Sequence, residues 1–472
     1  MTTPAGPPSP RTRDTGGCPL VHDSPGNTVD ERVRLHDPQF AQDPHAKYTE
    51  MRKRYGALAP VELADGAPAT LVLGYRTAVR ILHDEAHFPS DPRSWQKTVP
   101  QDSPVLAMMG WHPAARSATG REHERYRQAS RASIDSVDLH ALHGVIEDVA
   151  VALISGFFDA ESVDVISQYA HPLVVQILNH LLGCPPELGA TIAAGMAARF
   201  DAGTDAATGM KVLQTALKKL IGLKRAAPGE DMTTRLIEYD PDLDDEQVAA
   251  QLMSFYGAGV EALHNLIGNT VLLMVTDSRF GGGLVSGSLS TRDALDEVLF
   301  KDPPMANWST TYPRQPVFIN DVWLPADQPV VISLAACNND PVIGGADVDR
   351  TGNRSHLAWS AGRHVCPASS LAYLIAEDAV SQLLDALTDL ALAVEQDELE
   401  WRPGPFHRAL TALPVTFART ARPTTGLYAY ADRAAVTPHQ PPSVRAHPPS
   451  DCRLTPTNSR RRNVRSDESR SC

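Results

Sequence analysis

Residues 356–387 read HLAWSAGRHVCPASSLAYLIAEDAVSQLLDAL, and this stretch decides how the chain is interpreted. Cys366 comes just before a helical pattern, so its thiolate would face the free N–H groups of a helix start. Gly362 permits a tight turn ahead of it, and Arg363 and His364 add positive character. A thiolate presented in this way can be an axial ligand of haem iron. A buried structural cysteine is the alternative, and this stretch alone leaves both open.

A long apolar segment lies upstream of this stretch. The acidic residues 244–246 precede QVAAQLMSFYGAGVEALHNLIGNTVLLMV, which ends near Asp277. Acidic residues favour a helix N-terminus, and at about 1.5 Å per residue the predicted helix is roughly 50 Å long. Because it is apolar nearly all round, it should be buried. The run Gly257-Ala258-Gly259 leaves room in its middle for a flat group to approach the backbone.

Strand signals are short and few. Many helices without alternating βα units predict a mainly α (α+β) domain. The strand signals occupy residues 70–75, 316–321, 329–335 and 414–418.

The two ends of the chain differ in composition from this domain. Residues 1–30 are rich in Pro, Gly and Thr and are expected to be disordered, so the domain is placed at 31–420. Residues 421–472 hold nine Arg against four acidic residues and seven Pro, and a solvated, disordered basic tail is the favoured interpretation. Contact of the run Arg460–Arg462 with acidic partners or phosphates is the alternative.

Bulk properties exclude several classes of protein. The net charge of −13 argues against wholesale nucleic-acid binding. The sequence contains no stretch of about 18 consecutive apolar residues, so we expect no membrane span. The N-terminus has no apolar signal region. The six cysteines show no zinc-binding spacing. We therefore expect a cytoplasmic protein.

The stretch around Cys366 resembles the haem loop of the cytochrome P450 family, whose pattern is F-x-x-G-x-x-x-C-x-G. Gly362 and Cys366 match, whereas Trp359 replaces the Phe and Ala368 the final Gly. Five more segments resemble the family in the same order. They are the C helix at His123–Arg127, the I helix at Ala258–Glu261, the K helix with its Pro-Pro exit at Asp293–Pro304, the A-A-N-x-D-P segment at Ala335–Pro341 and the meander at Arg350–Leu357.

The resemblance implies a cytochrome P450 fold with a long central I helix, small β-sheets, and haem b between the I and L helices. It implies Cys366 as the iron ligand and a propionate-binding set of His123, Arg127, His364 and, less securely, Arg314. It also implies a small-molecule substrate and a ferredoxin-type electron donor. The donor would dock near Arg121, Arg125, Arg131 and Arg363.

The I-helix segment Ala258-Gly259-Val260-Glu261 departs from the family at the next residue. Ala262 stands where the family has the Thr or Ser of its acid–alcohol pair. A methyl group cannot relay protons, so ordinary oxygen activation is in doubt, while a water-bridged relay through Glu261 and His264 stays open.

The K-helix pattern E-x-x-R is also broken, because Phe300 replaces the Arg. A buried Glu297 would then need Arg350 or, less favoured, Arg354 as its cation. In lacking this Arg, the chain resembles a small group of actinobacterial P450s without the motif. Three functions remain open: a haem-thiolate monooxygenase, a peroxide-using haem protein, and a non-catalytic haem-binding or interaction protein.

Overall fold

Helices linked by short strands make up most of the protein. The computed structural model describes residues 32–200, 206–280, 289–344, 350 and 352–418, so both predicted tails lie outside the described residues. Fourteen α-helices occur among them: α1 Pro38–Gln42, α2 Pro44–Tyr55, α3 Tyr75–His83, α4 Val105–Met109, α5 Gly120–Asp135, α6 Leu139–Phe157, α7 His171–Leu181, α8 Pro186–Phe200, α9 Ala206–Ala226, α10 Met232–Tyr239, α11 Asp245–Thr276, α12 Thr291–Lys301, α13 Leu334–Asn338 and α14 Ser369–Ala386.

The strands form three small sheets in the described part of the chain. They are β1 Val33–Arg34, β2 Leu58–Glu62, β3 Pro68–Val72, β4 Ser162–Asp164, β5 Ser309–Thr311, β6 Val317–Ile319, β7 Val322–Leu324, β8 Val330–Ile332, β9 Thr388–Leu392 and β10 Pro414–Ala418. The sheet orders are β1-β2-β3-β8-β5, β4-β10-β9 and β6-β7. This architecture confirms the predicted mainly helical α+β class.

The predicted long helix is α11, and its start has a clear local cause. The Asp244 carboxylate accepts a hydrogen bond from the Gln247 backbone N–H at 2.8 Å, and the Gln247 side chain accepts one from Asp244 N–H at 3.1 Å. This capping box satisfies two N–H groups that the helix itself cannot pair. The helix then runs for 32 residues and packs against α7, α9, α12 and α14, so it is central, as predicted.

All four predicted strands occur, but only the one at 414–418 has the predicted bounds, as β10. The prediction at 70–75 is correct for 70–72, that at 316–321 for Val317–Ile319, and that at 329–335 for Val330–Ile332. Ser333 ends this strand because its hydroxyl accepts a hydrogen bond from Ala336 N–H at 3.1 Å and caps α13. An N-cap serine therefore overrides the apolar pattern that continues to Ala335.

Two described helices, Leu139–Ala160 and Asp245–Thr276, are long and apolar enough to cross a membrane by length and composition. The second of these is α11, whose apolar window is 61% buried inside the protein. A core helix of a soluble domain passes the same test, so the observation is weak evidence for a membrane span.

Candidate active site

The loop that carries Cys366 is held in a single backbone conformation. A one-turn 3-10 helix, Gly362–His364, precedes it, and Cys366 N–H donates to the Trp359 carbonyl oxygen at 2.8 Å. Gly362 has φ +68°, and a Cβ atom there would lie 2.1 Å from the carbonyl oxygen of Leu82. Both conformation and space therefore require glycine at this position. The tight turn predicted before Cys366 is present.

The protonation of Cys366 differs from the sequence-based expectation. Burial raises the pKa of the Cys366 thiol, while a hydrogen bond from the Ala368 backbone and the charge of Arg127 act in the opposite direction. Burial outweighs both influences, although the Ala368 backbone at the helix start acts in the direction expected from the sequence. A bound metal ion deprotonates a coordinating thiol outright, and the thiol is therefore still suited to ligation.

His123 and His364 lie side by side, with ring centroids 4.3 Å apart. Their Nε2 atoms are buried without a hydrogen-bond partner. Burial lowers the pKa of His123, and burial together with His123 and the nearby arginines lowers that of His364 to about 3. The Arg127 guanidinium donates to the Val365 carbonyl, which precedes Cys366 in the loop. Its charge also acts on His364. The structure thus brings together three of the four residues expected to hold carboxylates.

The fourth residue, Arg314, has another partner. Its guanidinium donates to the Asp91 carboxylate at 3.1 Å, and its side chain is 63% exposed. The structure therefore places Arg314 in a partly exposed ion pair, which does not support the propionate role that the resemblance implied. Arg314 was the least secure member of the set, because it lies further along the chain from Phe300 of the K helix than the family resemblance implies for a propionate-binding Arg.

The middle of α11 presents one accessible stripe in an otherwise buried helix. Ser254, Phe255, Ala258, Gly259 and Ala262 keep some exposure, whereas their neighbours Tyr256, Gly257, Val260, Glu261 and Leu263 are buried. The accessible residues recur at i, i+3 and i+4, so they share one face. This face is lined by small side chains at the positions where the family resemblance places the haem. A flat group can therefore approach the backbone there.

Glu261 is buried and borders this stripe, three residues after Ala258. Its carboxylate pairs with Arg402 and accepts from the Asn265 side-chain amide at 3.1 Å. Burial opposes ionisation of Glu261, but the charges of Arg402, His264 and His407 and the hydrogen bond from Arg402 together outweigh it, so the pKa of this carboxyl is lowered. His264 donates from Nδ1 to the Val260 carbonyl at 2.6 Å. Both side chains are therefore already engaged by protein partners.

The K-helix carboxylate that we expected to need a cation is only partly buried. Glu297 pairs with Arg279 at 3.5 Å, and Arg279 is 50% exposed. Arg350 lies over the Phe300 ring at 4.7 Å, and its guanidinium donates to the Asn338 carbonyl at 3.2 Å. Burial lowers the pKa of Arg350 and the charge of Glu297 opposes this, so Arg350 is near Glu297, as expected. Arg279 was not expected and adds an ion pair to Glu297, whereas Arg354 binds Asp296.

Asp296, one residue earlier, is the buried carboxylate of α12. It accepts from Arg354 at 3.0 Å and from the Tyr373 hydroxyl at 2.5 Å. His356 Nε2 lies 3.2 Å from the same hydroxyl. This network joins α12 to the meander, as the E-x-x-R motif of the family is expected to do, and it also joins α14. Sequence reasoning missed Asp296, although its place beside Glu297 was a usable signal.

Known proteins resemble the whole domain. No family model matches the chain. Cytochrome P450 107B1 of Saccharopolyspora erythraea is 27% identical over 80% of this chain and 96% of its own length. The vitamin D(3) 25-hydroxylase of Pseudonocardia autotrophica is 28% identical over 82% of this chain and 97% of its own. The solved structure of CYP154C4 from Streptomyces sp. ATCC 11861 has a TM-score of 0.76 at 26% identity, over 82% and 98% of the two chains.

The chain has the cytochrome P450 fold, and its relatives are bacterial cytochrome P450s, most of those named here from actinobacteria. The family implies a haem cofactor, and the residues fit one. Cys366 offers a sulfur ligand, His123 and His364 offer buried nitrogens without partners, and α11 offers an accessible face of small residues.

Proposed function

We propose that the chain is a haem-b monooxygenase that uses Cys366 as the axial ligand and hydroxylates a small organic molecule. The observation that carries this proposal is the convergence of Cys366, Arg127, His123 and His364 on one loop, with two buried ring nitrogens that lack partners. Relatives are named for hydroxylation of vitamin D(3) and of 6-deoxyerythronolide B. The substrate class of those proteins supports a mainly apolar substrate here.

The residues of the site have separate roles in this proposal. Bound haem supplies a redox-active iron at which oxygen is activated for insertion into a C–H bond. Cys366 provides the sulfur ligand, and His123, His364 and Arg127 hold the two carboxylates in a mostly dry pocket where unpaired charge is costly. The face at Ala258 and Gly259 admits the flat group close to the helix.

Proton delivery is the weak point of the site. Ala262 offers only a methyl group on the accessible face of α11, and the Glu261 carboxylate is paired with Arg402. A donor must come within hydrogen-bond reach of the reacting group, directly or through one water. These observations favour peroxide as a second candidate oxidant, because peroxide brings its own protons and electrons.

A ferredoxin-type donor is the proposed electron source, docked on the face that carries the Cys366 loop. Arg121 and Arg131 are exposed there, whereas Arg125 is engaged with Asp240 at 2.6 Å and the exposed Arg363 with Glu85 at 3.3 Å. Exposed positive charge would steer an acidic partner. Changing Arg121 and Arg131 together to Glu should raise the KM for ferredoxin and leave peroxide-driven turnover unchanged.

The absorption spectrum of the reduced, CO-bound protein tests the proposed ligand. Wild-type protein and Cys184→Ala, which removes another free cysteine, should both show the band typical of thiolate ligation, and Cys366→Ala should lack it. A thiolate band that persists in Cys366→Ala would make the assignment wrong. Ferredoxin-driven and peroxide-driven turnover, compared side by side, then separate the two oxidants, and failure of both would favour a non-catalytic haem protein.

A further inference from the structure

Arg116 is held in a rigid loop against α11. It lies in the one-turn 3-10 helix Ala115–Ser117. The Gln251 side chain fixes this turn to α11, because its Nε2 donates to the Pro113 carbonyl at 2.8 Å and its Oε1 accepts from Ala115 N–H at 3.4 Å. The loop therefore presents the Arg116 guanidinium from a defined position rather than from a solvated surface.

The guanidinium lacks the partner that a buried cation normally has. Its Nη2 atom is buried without a hydrogen-bond partner, and no carboxylate among the described residues forms an ion pair with it. Burial lowers the pKa of Arg116, and the nearby Tyr312 acts weakly in the opposite direction. The Trp308 ring, 5.8 Å from the guanidinium, offers only partial compensation. An unpaired buried charge is costly, so the arrangement favours an anionic ligand.

A second buried donor belongs to the same loop. The indole Nε1 of Trp111 is buried without a hydrogen-bond partner. Arginine and the indole N–H only donate hydrogen bonds. The complementary ligand therefore supplies acceptors, and a carboxylate matches the fork of a guanidinium with two parallel hydrogen bonds.

Two contacts connect Arg116 to the candidate active site. Ser309 follows Trp308 in the chain, and its hydroxyl lies 2.9 Å from that of Ser360, on the loop that leads to Cys366. Gln251, which fixes the Arg116 turn, lies two helical turns before Ala258 on α11. The neighbours of Arg116 therefore connect its turn both to the Cys366 loop and to the helix that carries Ala258.

We propose that Arg116 binds a carboxylate in this site, either a haem propionate or the carboxylate of an organic substrate. The inference rests on the proposed function, since it needs haem or substrate in the site. If the carboxylate is a propionate, Arg116 supplies from the loop before α5 the positive charge that the family resemblance had placed at Arg314. If it belongs to the substrate, the enzyme takes an organic acid and Arg116 orients it.

Haem release and ligand binding distinguish the two sources. The variant is Arg116→Leu, and the control is Arg76→Leu, which removes an exposed arginine of α3. Haem release is followed by transfer to excess apomyoglobin, and binding of decanoic acid and methyl decanoate by the absorbance of the haem protein. A propionate contact predicts release roughly tenfold faster in Arg116→Leu, and reconstitution with haem dimethyl ester should abolish that difference.

A substrate contact predicts the opposite pattern. Haem release should stay within about twofold of wild type, while the Kd for decanoic acid rises roughly tenfold and that for methyl decanoate hardly changes. Arg116→Lys keeps the charge without the planar fork and serves if the leucine variant does not fold, with a smaller change of the same kind. Unchanged release and unchanged decanoate affinity in either folded variant would overturn the inference. Loss of the thiolate band in wild-type protein would instead overturn the proposed function.

Discussion

The Tyr373 hydroxyl donates a hydrogen bond of 2.5 Å to the buried carboxylate of Asp296. This contact joins α14, which follows the Cys366 loop, to α12, and Arg354 of the meander binds the other oxygen of the same carboxylate. Burial raises the pKa of Tyr373, and its hydrogen bond to the Asp296 carboxylate acts in the same direction, so the hydroxyl keeps its proton and remains a donor. Asp296 therefore links α12, the meander and α14.

Replacing Asp296 with Asn should destabilise the protein by about 1.5–3 kcal/mol, because a hydrogen-bonded buried charge is lost. Glu297→Gln is the matched control on the next residue. Its ion pair with the half-exposed Arg279 predicts a loss of no more than about 1 kcal/mol. Urea unfolding of the holoprotein measures both changes. A larger loss in Glu297→Gln than in Asp296→Asn would show that the family's carboxylate position still dominates.

His123 and Arg127 should together retain the haem. Changing both to Ala removes one ring nitrogen and one guanidinium from the proposed carboxylate-binding set, so we expect lower haem occupancy and faster haem release. The matched control changes the exposed residues His140 and Arg76 to Ala. Occupancy and release rate equal to those of wild type would count against propionate binding by this pair.

Ala262→Thr should raise the coupling efficiency, that is, the fraction of supplied electrons that ends in product. A hydroxyl on the accessible face of α11 can hold a proton donor where the wild-type methyl group cannot. We expect a higher fraction of electrons to reach product when ferredoxin supplies them, and little change when peroxide is the oxidant. The ratio of product formed to NADPH consumed measures this in a reconstituted chain. Tight coupling in the wild-type protein, with no gain in the variant, would falsify the idea that proton relay is deficient.

His264 should make stability depend on pH. Burial lowers its pKa to about 4, although Glu261 acts in the opposite direction. As pH falls below about 6.5, the unfolded chain takes up a proton at this residue that the folded chain does not, so stability is lost down to about pH 4. His264→Gln should remove about 2–3 kcal/mol of the loss between pH 7 and 4.5, measured by urea unfolding. Replacement of the exposed His140 by Gln should leave the loss intact, and a pH dependence unchanged in His264→Gln would disprove this role.

Much of the fold followed from local patterns. The acidic residues at the start of 244–277 and the long apolar run that follows predicted α11. A capping box and a pattern of buried side chains depend on residues that are neighbours in the chain, so both are visible in the sequence. The strand predicted at 329–335 was too long, because the apolar pattern continues past Ser333, whose side chain begins a helix. Gly362 was predicted as a turn, but the close approach of the Leu82 carbonyl that forbids any side chain there was not visible in sequence.

By itself, the sequence determined the resemblance to the cytochrome P450 family and the order of the segments that carry it, because spacing along the chain decides which residues share a helix face or precede a helix. Only the tertiary structure decided which charges meet. It paired Glu261 with Arg402, 141 residues away, and Glu297 with Arg279. It placed Arg314 against Asp91 and left the Arg116 Nη2 atom buried without a partner. Ion pairs and burial arise between segments distant in the chain, and no local pattern encodes the position of the partner.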